Sequence, residues 1–398
     1  MRFETVKIRD LISEISMGPF GSNIKVECFV DNGIPVLNGS NLDGYVLKED
    51  SFRYVTEEKA DSLGKANAHR GDVVITHRGT LGQIVFIPQD SLFDRYIISQ
   101  SQFRLRCNKQ VLPEYLVYYF HTRTGKHKLL SNASQVGVPA LARASTTFQK
   151  IEIEIPDISS QRKIVDFLET IRLKIRINND LNENLLQQAQ SIFIHEFLTI
   201  DSLPDGWQES SLLGIADYLN GLAMQKYRPT DDEQGLPVLK IKELRQGSCD
   251  SNSELCSPSI KPEYIVHDGD VIFSWSGSLL VDLWCGGTCG LNQHLFKVTS
   301  SKYDKWFYYA WTNHHLVKFS AIAADMATTM GHIKREELAK AKVLIPSKSD
   351  YDRIGGLLAP LYNLVIANRT ENRKLTTLRD ELLPQLMSGQ LDVSEVTL

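Results

Sequence analysis

The residues best suited to hold a metal ion are four cysteines in the second half of the sequence, Cys249, Cys256, Cys285 and Cys289. Cysteine thiolates bind zinc when they come in close pairs, most often with two residues between the partners. Here six residues separate the first pair and three separate the second. We therefore favour free thiols in turns, with zinc as the alternative, and predict no metal in this chain.

Motifs that would carry catalysis are missing from the sequence. Gly125-Lys126 lacks the rest of a phosphate-binding loop, and there is no Gly-rich dinucleotide loop, nucleophile elbow or His-Glu-x-x-His pair. Pro156-Asp157 and Pro204-Asp205 are not followed by the acid and lysine of a metal-dependent nuclease. We therefore predict no catalytic residues, and no cofactor bound by this chain itself.

Positive charge collects locally, although the net charge of the whole chain is −4. From Arg95 to Lys150 there are nine Lys and Arg residues against one acid, and from Lys297 to Lys342 there are eight against four. The first segment includes HTRTGKHKLLSNASQ, which mixes cations with amides and hydroxyls. Such a mixture suits neutralisation of phosphates and contact with base edges. A solvated helix face is the alternative for either segment alone.

The two basic segments lie at equivalent places in an internal repeat. The similar stretches are NGIPVLNGSNLDG (32–44) and QGLPVLKIKELRQG (234–247), HRGDVVITHRGTLG (69–82) and HDGDVIFSWSGSLL (267–280), and ISQSQFRL (98–105) and LNQHLFKV (291–298). The offset between copies falls along the chain, as expected when loops differ in length. We therefore predict one fold repeated twice.

After each copy comes a segment in which core-type positions alternate steps of four and three. In the first segment they are Ile164, Leu168, Ile171, Ile175, Asn178, Asn182, Leu185, Ala189 and Ile192. Adding 190 gives Ile354, Leu358, Leu361, Val365, Asn368, Asn372, Leu375, Arg379 and Leu382. This is the seam of a coiled coil, and two unrelated surface helices are the alternative. Gly355, Gly356 and Pro360 weaken the start of the second helix, where we expect a kink or a later beginning.

Asparagines interrupt both seams at the same two positions. A polar residue in an apolar seam costs stability but fixes register, because slipping would leave its amide buried and unpaired. If the helices pack antiparallel with their seams centred on one another, Asn178 lies opposite Asn368 and the two amides satisfy each other. In that register Ile175 lies opposite Asn372, and Asn182 lies opposite Val365.

The resulting fold class is α/β of the α+β type, with two pseudo-repeated globular domains separated by two long helices packed as an antiparallel coiled coil. The predicted segments are a first globular domain (1–158), a helical spacer (159–198), a second globular domain (199–348) and a second helical spacer with the C-terminal tail (349–398). No apolar run approaches the roughly 20 residues needed to cross a bilayer. The N-terminus has no signal-peptide pattern. Six scattered cysteines suit the reducing cytoplasm.

Several strings resemble a known family. They are GPFGSNI (18–24), SLPDGW (202–207), the helical stretch beginning SQRKIVDFLETI (160–171), and LRDELLPQLMSGQL near the C-terminus. Together they resemble the specificity (S) subunit of type I restriction–modification enzymes over nearly the whole chain. One departure lies at the entry to the first helix, where the family commonly has Pro-Pro-Leu-x-Glu-Gln. Here the sequence reads Pro-Asp-Ile-Ser-Ser-Gln (156–161).

The resemblance implies a subunit without a catalytic centre. Each globular domain is expected to read one half of an asymmetric, split sequence in double-stranded DNA, and the helices to set the distance between the halves. The implied partners are methyltransferase (M) subunits, expected as two copies, which bind S-adenosylmethionine, and a restriction (R) subunit that uses ATP and Mg²⁺. The alternative is a duplicated coiled-coil scaffold that binds no DNA.

Strand-end loops and the basic segments supply the predicted DNA contacts. In the first copy they are His77, Arg78, Ser99, Gln100, Gln102, Lys126, His127, Lys128, Asn132, Gln135 and Arg143. In the second copy they are Trp275, Ser276, Asn292, Gln293, His294, Thr328, Thr329, His332 and Lys334. For each of them a structural role in a turn or strand is the alternative, and for Trp275 a place in the core is favoured over base stacking.

Overall fold

A computed structural model describes residues 2–131, 133–134, 138–325 and 332–393. The chain divides into two compact units. The first unit comprises residues 1–172 and 377–398, and the second unit comprises residues 173–376. Both unit boundaries fall inside the long helices, whereas the domain limits predicted from sequence follow the helix ends and stay predictions.

The strands are short, as the sequence pattern predicts. In the first unit they are β1 (Phe3–Lys7), β2 (Ile12–Met17), β3 (Phe29–Val30), β4 (Ile34–Val36), β5 (Arg53–Val55), β6 (Asn67–His69), β7 (Asp72–Thr76), β8 (Ile84–Phe86), β9 (Arg95–Ile97), β10 (Gln102–Cys107), β11 (Ala133–Ser134), β12 (Ala140–Leu141) and β13 (Glu152–Pro156). In the second unit they are β14 (Gln208–Ser211), β15 (Asp217–Asn220), β16 (Leu236–Leu239), β17 (Leu255–Cys256), β18 (Ile265–Val266), β19 (Val271–Ser274), β20 (Leu280–Leu283), β21 (Cys289–Leu291), β22 (Leu295–Thr299) and β23 (Lys342–Ile345).

Two helices are much longer than the others. The α-helices are α1 (Ile8–Leu11), α2 (Glu57–Ser62), α3 (Pro113–His121), α4 (Arg123–Leu130), α5 (Ala144–Gln149), α6 (Ile158–Phe193), α7 (Leu212–Ile215), α8 (Ile241–Gln246), α9 (Lys305–Asp325), α10 (Arg335–Lys340) and α11 (Lys348–Ser388). A π-helical turn, Ile194–Leu198, follows α6. Short 3₁₀ helices are Gly21–Asn23, Val26–Cys28, Gly39–Leu42, Gly64–Ala66, Met224–Lys226 and Pro262–Tyr264.

The two units share one sheet topology. The first unit has a four-stranded antiparallel sheet in the order β2-β10-β7-β8, and the second unit has its counterpart in the order β15-β22-β19-β20. Beside each lies a mixed sheet, β3-β5-β4-β9-β6 or β17-β16-β21-β18, in which one pair is parallel. A two-stranded sheet closes each unit, β1-β13 or β14-β23. The predicted internal repeat is confirmed.

Buried apolar residues explain why these sheets form. All five side chains of β7 are buried, as are all four of β19, so both central strands are covered on two faces. In the first unit Asp72, which is fully buried at the start of β7, accepts from Arg104 Nη1 at 3.2 Å and from Arg106 Nε at 2.8 Å. Burying this carboxylate is tolerated because two arginines of the neighbouring strand β10 donate hydrogen bonds to it.

The long helices have defined beginnings and ends. Asp157 caps α6, because its Oδ1 accepts from the backbone N–H of Ser159 at 3.0 Å and of Ser160 at 3.1 Å. Helix α11 begins at Lys348 and is followed by Gly389 at a φ of 73°. The expectation of a later beginning is therefore wrong. Gly355 lies inside the helix, at a position where a Cβ would meet Trp306 Nε1 at 2.9 Å.

The seam between α6 and α11 lies in the second unit and runs antiparallel. Asn178 Nδ2 donates to Asn372 Oδ1 at 2.8 Å, and Asn368 Nδ2 donates to Asn182 Oδ1 at 2.9 Å. The predicted pairing of Asn178 with Asn368 is wrong by about one helical turn. In the observed register the four amides form two pairs, whereas the predicted register would have set Asn182 against the apolar Val365.

Candidate nucleic-acid interface

Two of the predicted loops meet at one end of the antiparallel sheet in the first unit. His77 directly follows β7, and residues 98–101 connect β9 to β10. The backbone N–H of His77 donates to Ser101 O at 2.8 Å, and His77 Nε2 lies 3.2 Å from Gln100 O. Because a carbonyl only accepts, Nε2 carries the hydrogen and Nδ1 is left as an acceptor in the neutral ring.

The protonation state of His77 bears on what it offers DNA. Burial lowers the pKa of His77, since the half-buried ring is less well solvated when charged. Near neutral pH the ring is therefore uncharged. The free nitrogen of the neutral ring, Nδ1, is an acceptor and suits a donor on a base edge, whereas a phosphate offers only acceptors.

A third segment joins these two loops. Leu141 N donates to His77 O at 2.8 Å, and Gly79 N donates to Pro139 O at 2.9 Å. Arg78 forms an isolated antiparallel bridge with Ala140, and its side chain is exposed. Arg143, also exposed, follows β12 with a left-handed φ of 47°. The third segment thus adds the cationic side chain of Arg143 to that of Arg78 in the His77 loop.

Helix α4 adds further basic residues. Arg123, Lys126 and His127 line a shallow depression together with Leu130 and Ser131. The side chain of Lys126 lies near Gly82, at the far end of the loop that starts with His77. Lys128 is placed differently, because its Nζ donates to Glu152 O at 2.7 Å and lies 5.9 Å from the centroid of the Tyr119 ring. We therefore expect Lys126 rather than Lys128 to be the stronger phosphate contact.

Not every predicted contact residue is accessible. Gln102 is fully buried, and its amide accepts from Ser99 N at 2.8 Å and donates to Asn38 O at 3.2 Å. We therefore expect Gln102 to hold the turn in shape, while Ser99, partly exposed, and Gln100, exposed, face outward. The predicted residues Asn132, Gln135, Thr328 and Thr329 lie outside the described residues.

The charge counted along the sequence overstates the charge of this surface. Arg95 Nη1 lies 2.6 Å from Asp61 Oδ1, and Arg104 is buried between Asp72 and Glu14. Arg106 also pairs with Asp72, which raises the pKa of the guanidinium through the hydrogen bond they share. Their partners lie outside the basic segment, so these three arginines add little to attraction of a phosphate.

The second unit places its predicted residues in the same way. Trp275 follows β19, its carbonyl accepts from Ile333 N at 2.8 Å, and its Nε1 donates to Asn220 Oδ1 at 3.0 Å. The half-buried Trp275 ring packs against the unit's main core cluster, 5.6 Å from the Phe296 ring. Ser276 bridges to His332, as Arg78 does to Ala140.

The turn between β21 and β22 completes this surface. Ser276 Oγ lies 3.1 Å from His294 Nδ1, and Gln293 N donates to Leu222 O at 2.9 Å. Asn292 is almost fully buried, with its Oδ1 3.3 Å from His294 N, and we expect it to shape the turn. Lys334 is exposed just before α10.

One pair of glycines shows how closely the two surfaces correspond. Gly18 N donates to Gln102 O at 2.8 Å, and Gly221 N donates to Leu295 O at 3.0 Å. A Cβ on Gly18 would lie 1.9 Å from Ser99 O, and one on Gly221 would lie 2.2 Å from Asn292 O. The loop after each glycine is absent from the predicted contacts, because the strings MGPFGS and NGLAMQ share little besides that glycine.

The two units also match a known domain family. The type I restriction modification DNA specificity domain matches residues 2–187 and again residues 204–377. The chain belongs to that family. Its function is that of the DNA specificity component of a type I restriction–modification system, and the alternative of a scaffold without DNA recognition gains no support.

Two relatives agree with this assignment, and a solved structure shares the fold. The MjaIX specificity subunit of Methanocaldococcus jannaschii is 23% identical over 99% of this chain and 94% of its own length. The HindI specificity subunit of Haemophilus influenzae is 22% identical over 95% of this chain and 99% of its own length. The crystal structure of the type I S subunit from M. genitalium superimposes with a TM-score of 0.58 at 13% identity, covering 97% and 96% of the two chains.

Two further features concern metals and membranes. Within residues 2–131, 133–134, 138–325 and 332–393, no three His, Cys, Asp or Glu residues converge as metal ligands would. Cys249 and Cys289 hydrogen-bond to each other, while Cys285 Sγ lies 3.5 Å from Leu283 O. Across the same described ranges no helix is both long and apolar enough to span a bilayer.

Proposed function

We propose that each unit reads one half of a split DNA sequence, through the surface built around His77 and Arg78 in the first unit and around Trp275 and the turn at Gln293 and His294 in the second. The observation that carries this proposal is the equivalence of the two surfaces. The carbonyls of His77 and Trp275 accept from equivalent segments, and Gly18 and Gly221 donate to equivalent strands, yet side chains at matching positions differ in type. Unlike side chains on one framework favour two unlike half-sites, hence an asymmetric target.

In each unit the contacts divide into two kinds. Arg78, Lys126 and Arg143 in the first unit, and Lys334 in the second, supply charge for phosphates. His77, Gln100 and Gln293 supply neutral donors and acceptors for base edges in the major groove. Trp275 has a half-buried ring, and its indole N–H already binds Asn220, so we assign it to positioning of the loop.

Membership of this family supports a proposal about partners. We propose that two M subunits dock on the helical parts of this chain, bind S-adenosylmethionine and methylate the DNA, and that this chain itself is not catalytic. A restriction subunit using ATP and Mg²⁺ is the further partner. A cytoplasmic location fits a protein that acts on DNA and whose cysteines are free thiols.

The test is to co-express this chain with its M subunit and map modified adenines across the host genome. The expected result is a split motif with a fixed unspecified spacer. Replacing residues 1–158 by those of a related S subunit should change one half of the motif and leave the other. As a matched control, Arg70→Ala removes an exposed arginine whose Nη1 lies 3.0 Å from Asp94, and should leave the motif unchanged. An assembled complex that methylates no such motif would contradict the proposal.

A further inference from the structure

Phe20 lies in the opening loop of the first unit with 83% of its surface exposed, the highest value among the large apolar side chains of the described residues. Burying a phenyl ring is favourable, and an isolated protein gains nothing by holding one in water. Single exposed apolar side chains are common, so the case for a contact at Phe20 rests on its place beside the candidate DNA-binding loops.

The backbone on both sides of Phe20 is held tightly. Gly18 donates to Gln102 O at 2.8 Å and sits so close to the carbonyl of Ser99 that any side chain would collide. A Cβ on Gly21 would lie 2.3 Å from Gln100 Oε1, and Asn23 N donates to Phe20 O at 2.8 Å, which closes a short 3₁₀ turn. Gly18 thus fixes the start of the loop against the turn at residues 99–102, and the 3₁₀ turn fixes the backbone just after Phe20.

The same turn supports the candidate DNA contacts. Ser101 O accepts from His77 N, and Gln100 O accepts from the His77 ring. Phe20 therefore shares its support with an imidazole, an exposed amide and the exposed cation Arg78. Apolar side chains among such groups contact thymine methyl groups or wedge between base steps in protein–DNA complexes.

The second unit lacks this feature. Its opening loop is placed by the equivalent glycine, Gly221, but two residues later the chain has Ala223 where the first unit has Phe20. Met224 then turns into the core. Any effect of an apolar wedge on DNA should therefore be confined to the half-site that the first unit reads.

We propose that Phe20 inserts its ring against the bases of the first half-site and unstacks a base step there. This inference rests on the proposed reading of DNA by the first unit, and it adds an apolar contact to that unit's polar ones. The ring would contribute by shape and apolar contact, so an aliphatic side chain of similar size should replace it in part.

The experiment uses the assembled complex of this chain with its M subunits and duplexes carrying the mapped target. 2-Aminopurine replaces adenine at one position at a time, because its fluorescence rises when it is unstacked. Phe20→Ala should abolish a rise at one step of the first half-site, leave the second half-site unchanged and weaken binding roughly 5- to 100-fold. Phe20→Leu should retain part of both effects, and Leu92→Ala, which trims another exposed apolar side chain of the first unit, should retain both in full.

The outcomes separate this inference from the proposed function. If the unaltered complex does not prefer the target over a scrambled duplex, the reading of DNA is refuted and this inference with it. If it does, but Phe20→Ala binds and fluoresces as the unaltered complex does, only the role of Phe20 is refuted. If Phe20→Ala instead prevents co-elution with the M subunit, Phe20 belongs to a protein interface and the inference is overturned.

Discussion

The pair formed by Asn182 and Asn368 makes a sharp prediction about stability. Both side chains are more than nine-tenths buried, and Asn368 Nδ2 donates to Asn182 Oδ1 at 2.9 Å. Asn368→Leu leaves the amide of Asn182 buried without that donor, which should cost about 1–3 kcal/mol of unfolding free energy. Asn182→Leu should cost about the same for the same reason.

Replacing both residues by leucine should restore the stability. No polar group is then left unpaired, and two apolar side chains meet in an apolar seam, so the double variant should equal the parent or exceed it. The coupling between the two substitutions is then at least about 2 kcal/mol, well above the scatter for independent sites. The other pair, Asn178 with Asn372, stays in place to hold the register.

Tryptophan fluorescence during denaturant unfolding is a suitable assay, because all five tryptophans lie in the second unit, as both pairs do. Asn184→Leu is the matched control, since Asn184 is exposed on the same helix, and should change the free energy by less than about 0.5 kcal/mol. A double variant that loses as much as the two single variants together would refute the reasoning, since the amides would then not be compensating each other.

Three further predictions concern DNA, packing and pH. Arg78→Ala should reduce the slope of log K against log salt by about one, while Arg70→Ala leaves the slope unchanged; equal slopes would remove Arg78 from the phosphate contacts. Gly355→Ala should destabilise the second unit because its Cβ would meet Trp306, whereas Gly356→Ala, with open space, should stabilise the helix by roughly 0.5–1 kcal/mol; denaturant midpoints that shift alike would contradict this. Burial lowers the pKa of His315 below that of the unfolded chain, so the second unit should lose stability as the pH falls below about 6.5, and His315→Gln should flatten that loss in a pH series of midpoints.

The elements that sequence predicts well here are those with local causes. The long helices follow from an apolar spacing that is visible within each helical segment by itself. The strands follow from β-rich runs bounded by turns. The duplication appears because residues such as Gly71-Asp72 and Gly269-Asp270 recur ahead of a buried strand. Each of these features needs only neighbouring residues to be read.

Features that depend on residues distant in the sequence cannot be predicted from local patterns. The register of the seam follows from which amides meet across two helices, and periodicity is satisfied equally well one turn away. The accessibility of a side chain in a turn is equally non-local. Gln100 and Gln102 lie in one short string, yet Gln100 is exposed and Gln102 is buried against Asn38, far away in the sequence. A count of charges along the sequence likewise does not show that Arg104 is paired with Asp72, which lies 32 residues away.

The duplicated chain separates the residues that make the surface from those that use it. Positions with a backbone duty keep their type, since Gly18 and Gly221 both lie against a carbonyl that excludes any side chain. Other matched positions differ, as His77 does from Trp275 and Phe20 from Ala223, although their carbonyls accept equivalent backbone hydrogen bonds. A requirement of the fold would have acted on both copies alike. The differences therefore lie where the fold leaves a choice, and a symmetric DNA target, which would favour the same side chains twice, fits them less well than two unlike half-sites.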